Sequence, residues 1–170
     1  MRRLFDDLRG YAAPVKLDRR NCDLRDVVSE AWKSLESVRQ GRDAELRIES
    51  DGDCFCRVDP LQLEQVFRNV LENALAACQD PVALEADVRP ARCSSTTDGL
   101  RVVVHDNGPG LSAEQQSRAF EPFFTTKSRG TGLGMAITKR IVEAHGGKID
   151  IKTAPEGGAV VVITLPRGDN

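Results

Sequence analysis

Aromatic side chains are scarce: one Trp, one Tyr and six Phe among 170 residues. That is too few for a surface that holds single-stranded nucleic acid by base stacking. Charge of one sign is also missing. Lys and Arg number 24 against 26 Asp and Glu, a formal charge of −2, so no broad field draws in nucleic acid or an anionic membrane. No run approaches the ~20 apolar residues of a membrane span. MRRLFDDLRG at the N-terminus has no apolar stretch of the signal-peptide kind. The expectation is a soluble, cytoplasmic chain that contacts neither membrane nor nucleic acid. Only two histidines occur, His105 and His145, and none of the five cysteines forms a CxxC pair. Cys54 and Cys56 alternate about Phe55, so a strand would set both on one face as a metal half-site or, more simply, as small apolar fillers.

What is present fits one domain with a substantial core, 40% hydrophobic and 29% charged. Leu4, Leu8 and Tyr11 have helical spacing that stops at Ala12-Ala13-Pro14. Asp23 is placed to cap a helix over 24–39, with Val27, Val28, Ala31, Leu35 and Val38 as its apolar positions. Residues 45–50 and 54–58 read as strands on either side of Asp51-Gly52-Asp53. Asp59-Pro60 then opens the strongest helix, with Leu63, Val66, Phe67, Val70, Leu71, Ala74 and Leu75 on its buried face. Strands follow at 82–88 and 100–104, separated by a polar loop at 89–99. Ser112 caps a short helix, 121–129 is a loop, 132–145 is helical, and 148–153 with 159–165 forms a closing hairpin. Strands arriving mostly as antiparallel pairs with helices between them predict an α+β two-layer sandwich, one sheet covered by helices on one face.

Three polar segments stand out. Asn69 and Asn73 lie four apart on the strong helix, off its apolar face. Their carboxamide oxygens suit magnesium, which takes few protein groups and completes its octahedron with water and phosphate; otherwise they are ordinary surface asparagines. Asp106-Asn107-Gly108-Pro109-Gly110 follows the strand Val102-Val103-Val104. A carboxylate there accepts from an exocyclic amine, favouring adenine over guanine, and glycines admit a flat ring; otherwise it is a turn. Gly130-Thr131-Gly132-Leu133-Gly134 opens a helix, exposing backbone N–H groups to phosphate. It is neither a Walker loop nor a dinucleotide fingerprint. Thr125, Thr126, Lys127, Ser128 and Arg129 just upstream add hydroxyls and charge to a candidate lid.

LEQVFRNVLENALAA resembles the N box of sensor histidine kinases, DNGPG their first glycine box, FEPFFTTK their F box, and GTGLGMAITKRIVEAHGGKI their second glycine box. The four boxes stand in order, the match covers residues 24–166, and the FFTTK form is similar to the nitrogen-regulation subgroup. The resemblance implies the Bergerat ATP-binding fold shared with gyrase, Hsp90 and MutL, with ATP and Mg2+ as cofactors. Position by position it implies Asn73 as the magnesium ligand, Asn69 beside it toward the phosphates, and Asp106 as the adenine-reading carboxylate. Gly108 and Gly110 then shape the base pocket. Thr125, Thr126 and Lys127 would act from the lid, and Gly130, Thr131, Gly132, Leu133 and Gly134 would hold the phosphates. Met135 stands where leucine is commoner, a volume-conserving exchange.

The resemblance further implies transfer of the γ-phosphoryl group to a histidine on a dimerisation hairpin of the same protein, and a response regulator downstream. Neither His105 nor His145 sits in a sequence like the acceptor. Residues 1–14 resemble the end of that hairpin's second helix, leaving 15–170 as the catalytic domain, expected to bind ATP with little activity and to be monomeric without the hairpin. Gyrase-like members carry a glutamate where Asn69 stands, and Asn69, named with Lys127 as catalytic, cannot act as a base; Glu64 and Glu72 are near but at other positions. Transfer is therefore expected over hydrolysis. A serine kinase of the anti-sigma type and a non-catalytic nucleotide-binding docking module are the alternatives.

Overall fold

The computed structural model describes residues 15–93, 98–127 and 130–168. The chain order is β1 (Arg20–Asp23), α1 (Leu24–Ser34), α2 (Glu36–Arg39), β2 (Ala44–Ser50), β3 (Phe55–Val58), α3 (Pro60–Ala77), β4 (Val82–Arg92), β5 (Asp98–Asp106), α4 (Ala113–Arg118), α5 (Gly134–Ala144), β6 (Lys148–Thr153) and β7 (Ala159–Pro166). Five strands form one sheet in the order β2-β4-β5-β7-β6, and β1 pairs with β3 in a separate ribbon. The β2–β4 pair is parallel. The other pairs are antiparallel.

Alternation along the strands sets the layers. In β5, Leu100, Val102 and Val104 are buried, as are Val161, Ile163 and Leu165 in β7, while the residues between them face outward. Helices α1, α3 and α5 pack on the buried face. The seven apolar positions expected for α3 are all buried, with Leu63, Phe67, Leu71 and Leu75 shut off from solvent. Each large side chain of this kind stabilises by ~1.5–3 kcal/mol, so α3 has one seat in the core. Its start is fixed by Asp59, whose Oδ1 accepts from the Leu61 and Gln62 N–H groups at 3.1 Å, with Pro60 in the first turn.

Three expectations are corrected. The helix expected over 24–39 breaks at Leu35, and Val38 beyond the break is exposed; across the break the Arg39 guanidinium stacks on the Trp32 ring at 4.1 Å. The strands at 44–50 and 55–58 are not partners. The first lies parallel to β4, and the second pairs with β1, a strand the sequence pattern did not announce. Strand pairing also runs into the expected loop at 89–99, since β4 continues to Arg92 and β5 begins at Asp98. The helical spacing at Leu4, Leu8 and Tyr11 falls outside the described residues, as do Ser128 and Arg129.

Candidate nucleotide site

Asp106 closes β5 and is 7% exposed. Its Oδ1 accepts from the Gly108 N–H at 2.9 Å and from the Ala159 N–H at 3.0 Å, two donors that fix its orientation. The Cys78 thiol, at the end of α3, lies against it. Burial first, then the Asp106 charge, push that thiol up to about 11, so it stays protonated beside the carboxylate. A Cβ at position 108 would stand 2.9 Å from Asp106 Oδ1 and 3.0 Å from Cys78 Sγ, which only glycine avoids. Asn107 clamps the turn to the start of β4, donating to Pro81 O at 2.9 Å and accepting from Ala83 N–H at 3.0 Å. On the far side the Leu111 N–H donates to Thr153 Oγ1 at 2.8 Å. Gly110 has φ +76°, and a side chain there would collide with Thr153.

Asn69 and Asn73 lie one turn apart on α3, both half-buried. The Asn69 amide donates to Gly134 O at 3.1 Å and to Thr138 Oγ1 at 3.3 Å, joining α3 to the start of α5. Asn73 turns its oxygen outward, where Lys127 Nζ donates to it at 2.6 Å. Lys127 comes from the exposed segment of Thr125 and Thr126, and Thr125 Oγ1 accepts the Lys127 N–H at 3.1 Å. The F box reaches the same region: Arg118 of α4 stacks on Phe124 at 4.2 Å.

Gly130 to Gly134 makes the turn into α5. Gly132, at φ +70°, accepts from the Phe123 N–H at 2.9 Å, and a Cβ there would run into the Phe123 backbone. Thr131 Oγ1 accepts from Leu133 N–H, and the Leu133 side chain is fully buried. Helices α1, α3 and α4 each begin under a capping side chain, Asp23, Asp59 and Ser112, whereas α5 begins at Leu133 with none. The first N–H groups of a helix have no intrahelical partner, so an uncapped start suits an anion.

The fold therefore brings the three segments onto one helix. The glycine turn and Lys127 gather around Asn69 and Asn73, and the Asp106 turn meets α3 at Cys78, ~8 Å further along its axis at 1.5 Å per residue. Residues that sequence reasoning passed over complete the site. Thr138, fully buried, is a polar residue on the apolar face of α5, and that mismatch was its signal. Gly158, in the connection between β6 and β7, abuts the Asp106 backbone so closely that no side chain fits. Cys78 and Thr153 gave no signal. The Cys54 and Cys56 thiols are directed at the backbone oxygens of Gly52, Val88 and Pro166. Among the described residues no three His, Cys, Asp or Glu are grouped to hold a metal ion.

Residues 58–169 match the family of histidine kinase-, DNA gyrase B-, and HSP90-like ATPases. The chain belongs to this family. As a member of this ATPase family it binds ATP. Its relatives include the sensor histidine kinase ZraS of Salmonella typhimurium, 33% identical over 98% of this chain and 35% of that protein. Another is the C4-dicarboxylate transport sensor protein DctB of Rhizobium meliloti, 35% identical over 94% of this chain and 25% of that protein. The chain thus spans about a third or less of these relatives. The solved catalytic domain of histidine kinase ThkA superposes with a TM-score of 0.77 at 27% identity, covering 88% of this chain and 96% of that one. ThkA solved with the response regulator protein TrrA gives 0.80 at 25% identity over 98% of this chain and 47% of that one. The ATPase-family fold is thus the α+β sandwich expected. Among the described residues no helix is long and apolar enough to cross a membrane.

Proposed function

We propose that this ATPase-family domain is the catalytic part of a two-component sensor histidine kinase, binding ATP with magnesium and passing the γ-phosphoryl group to a histidine carried on a helical hairpin of the parent protein. The observation that carries the reading is the Asn73 oxygen, presented beside the glycine turn and holding the Lys127 ammonium at 2.6 Å. An oxygen that accepts a cation there fits one protein ligand of magnesium, the rest coming from water and phosphates. Magnesium, when bound, supplies neutralisation of phosphate charge.

The chain's own groups have distinct tasks. Asp106 takes the exocyclic amine of adenine, Gly108 and Gly110 leave room for the ring, and the uncapped start of α5 with Gly130, Thr131, Gly132, Leu133 and Gly134 receives phosphate oxygens. Lys127, with Thr125 and Thr126, exchanges Asn73 for the phosphates. Asn69 has its amide hydrogens committed to α5 and removes no proton from water, which favours transfer over hydrolysis. His145 is 3% exposed and bonded through both ring nitrogens, so it is no acceptor. A hairpin ending within residues 1–14, a response regulator as the next acceptor, and a monomeric, cytoplasmic domain complete the reading.

The test combines ATP titration with labelled transfer. ATP is expected to bind more tightly with magnesium than without, and Asn73→Ala to abolish that difference; an unchanged magnesium effect sinks the metal role. With γ-labelled ATP and a phosphoacceptor hairpin supplied separately, acid-labile label is expected on the hairpin and none on His105 or His145. Rapid steady-state hydrolysis by the domain alone would count against a transferase.

A further inference from the structure

His145 ends α5 in the buried interior, 3% exposed. Its Nδ1 lies 2.8 Å from Ile141 O, and its Nε2 accepts the Asp59 N–H at 3.0 Å. The proton therefore sits on Nδ1 and the ring is neutral. Asp59 is the cap of α3, so this one ring fastens the end of α5 to the beginning of α3.

The same point receives the chain just ahead of β1. The Asp18 N–H donates to Asp59 Oδ2 at 2.9 Å, and Arg19 Nη2 donates to Ala144 O at 3.0 Å. One residue of that segment grips the start of α3 and the next grips the end of α5. A second fastening joins Asn69, midway along α3, to Gly134 and Thr138 at the start of α5. The helices that hold the phosphate groups are thus bolted twice, once inside the site and once about three turns away at His145. Loosening the distant bolt lets them pivot about the near one, which moves the turn ahead of Gly134 relative to Asn73.

We propose that His145 is a positioning residue for nucleotide binding, and that residues 18 and 19, by gripping both helix ends around it, set the separation of α3 and α5 at the ATP site. The claim rests on the nucleotide site described above. It gives a segment with no contact to the ligand a mechanical hold on affinity, because the site's two walls share that joint.

Two near-isosteric variants of the whole chain test it, with calorimetric titration of magnesium ATP and thermal melting as readouts. His145→Gln sets an amide oxygen near the Nε2 position and keeps an acceptor for Asp59; His145→Asn keeps only the donor toward Ile141. The expectation is ATP binding about tenfold weaker in His145→Asn, the equivalent of one buried hydrogen bond, and within about twofold of the parent in His145→Gln. Parent-like affinity in His145→Asn, or equal weakening in both variants, overturns the proposal. Should His145→Asn fail to fold, Arg19→Ala decides, since that side chain is exposed. Binding about threefold weaker at an unchanged melting temperature, with shifted amide resonances of Asn69 and Gly134, is expected. Unaltered affinity and resonances overturn it. A parent chain that binds no ATP would instead remove the nucleotide site itself.

Discussion

Asp106 and its glycines are held on both sides by strands, whereas Lys127 and the threonines beside it lie at the surface. The base end takes its shape from hydrogen bonds to Pro81 and Ala83 on one flank and to Thr153 and Ala159 on the other. The phosphate end has a rigid half, the glycine turn seated on Phe123 and Leu133, and an adjustable half in which a lysine holds an asparagine. The contrast teaches how binding energy is divided. A group fixed during folding loses no freedom when the ligand arrives, so it contributes affinity and discrimination. A surface lysine must be re-aimed, so it contributes less affinity but follows a phosphate group that changes during the reaction.

Comparing adenosine with ATP separates the two ends. The largest effect is expected from Asp106→Ala, which removes the amine acceptor and strands the Gly108 and Ala159 donors. Adenosine and ATP should both bind roughly a hundredfold more weakly by calorimetry; a loss for ATP alone would break the division. Next is Gly132→Ala, which places a side chain at φ +70° against the Phe123 backbone. ATP affinity should fall by about tenfold or more while adenosine is unchanged, and parallel losses would mean that the two ends are mechanically coupled. Lys127→Ala should weaken ATP by roughly threefold to tenfold, again sparing adenosine, and the loss should shrink as salt is added.

The smallest expected effect concerns stability. Burial, the dominant cause, lowers the His145 pKa from its ordinary 6.5, with Arg19 acting the same way and Asp59 opposing. The unfolded chain therefore takes up its proton first as the pH drops. Stability tied to the neutral ring is intact above about pH 6.5 and declines from there toward the lowered folded value. Melting followed across that range should show the decline in the parent and lose this component in His145→Gln.

Local patterns were readable where one helix or turn makes its own case. The cap at Asp59, the seven-residue apolar face of α3 and the Ser112 capping box are all short-range, and all are found. The N box, the F box and the second glycine box likewise come together, since Asn69, Asn73, Lys127 and the glycine turn do meet. What escaped depended on partners distant in sequence. β1 is a strand only because β3, over thirty residues later, lies beside it, and β2 finds its parallel neighbour only after α3 has crossed over. Cys78 and Thr153 are ordinary residues whose roles come from the Asp106 turn brought against them.

The anchoring of the Asp106 turn on the β6–β7 hairpin has a consequence for the order of synthesis. Asp106 needs Ala159 and Gly158 against it, Leu111 needs Thr153, and His105 meets Gly157 O at 3.1 Å. Half of the base pocket's supports therefore leave the ribosome some fifty residues after the carboxylate they hold. A nascent chain that already carries both asparagines and the glycine turn still has no finished seat for adenine. On the proposed reading the C-terminal hairpin has to be in place before the base end of the site is complete.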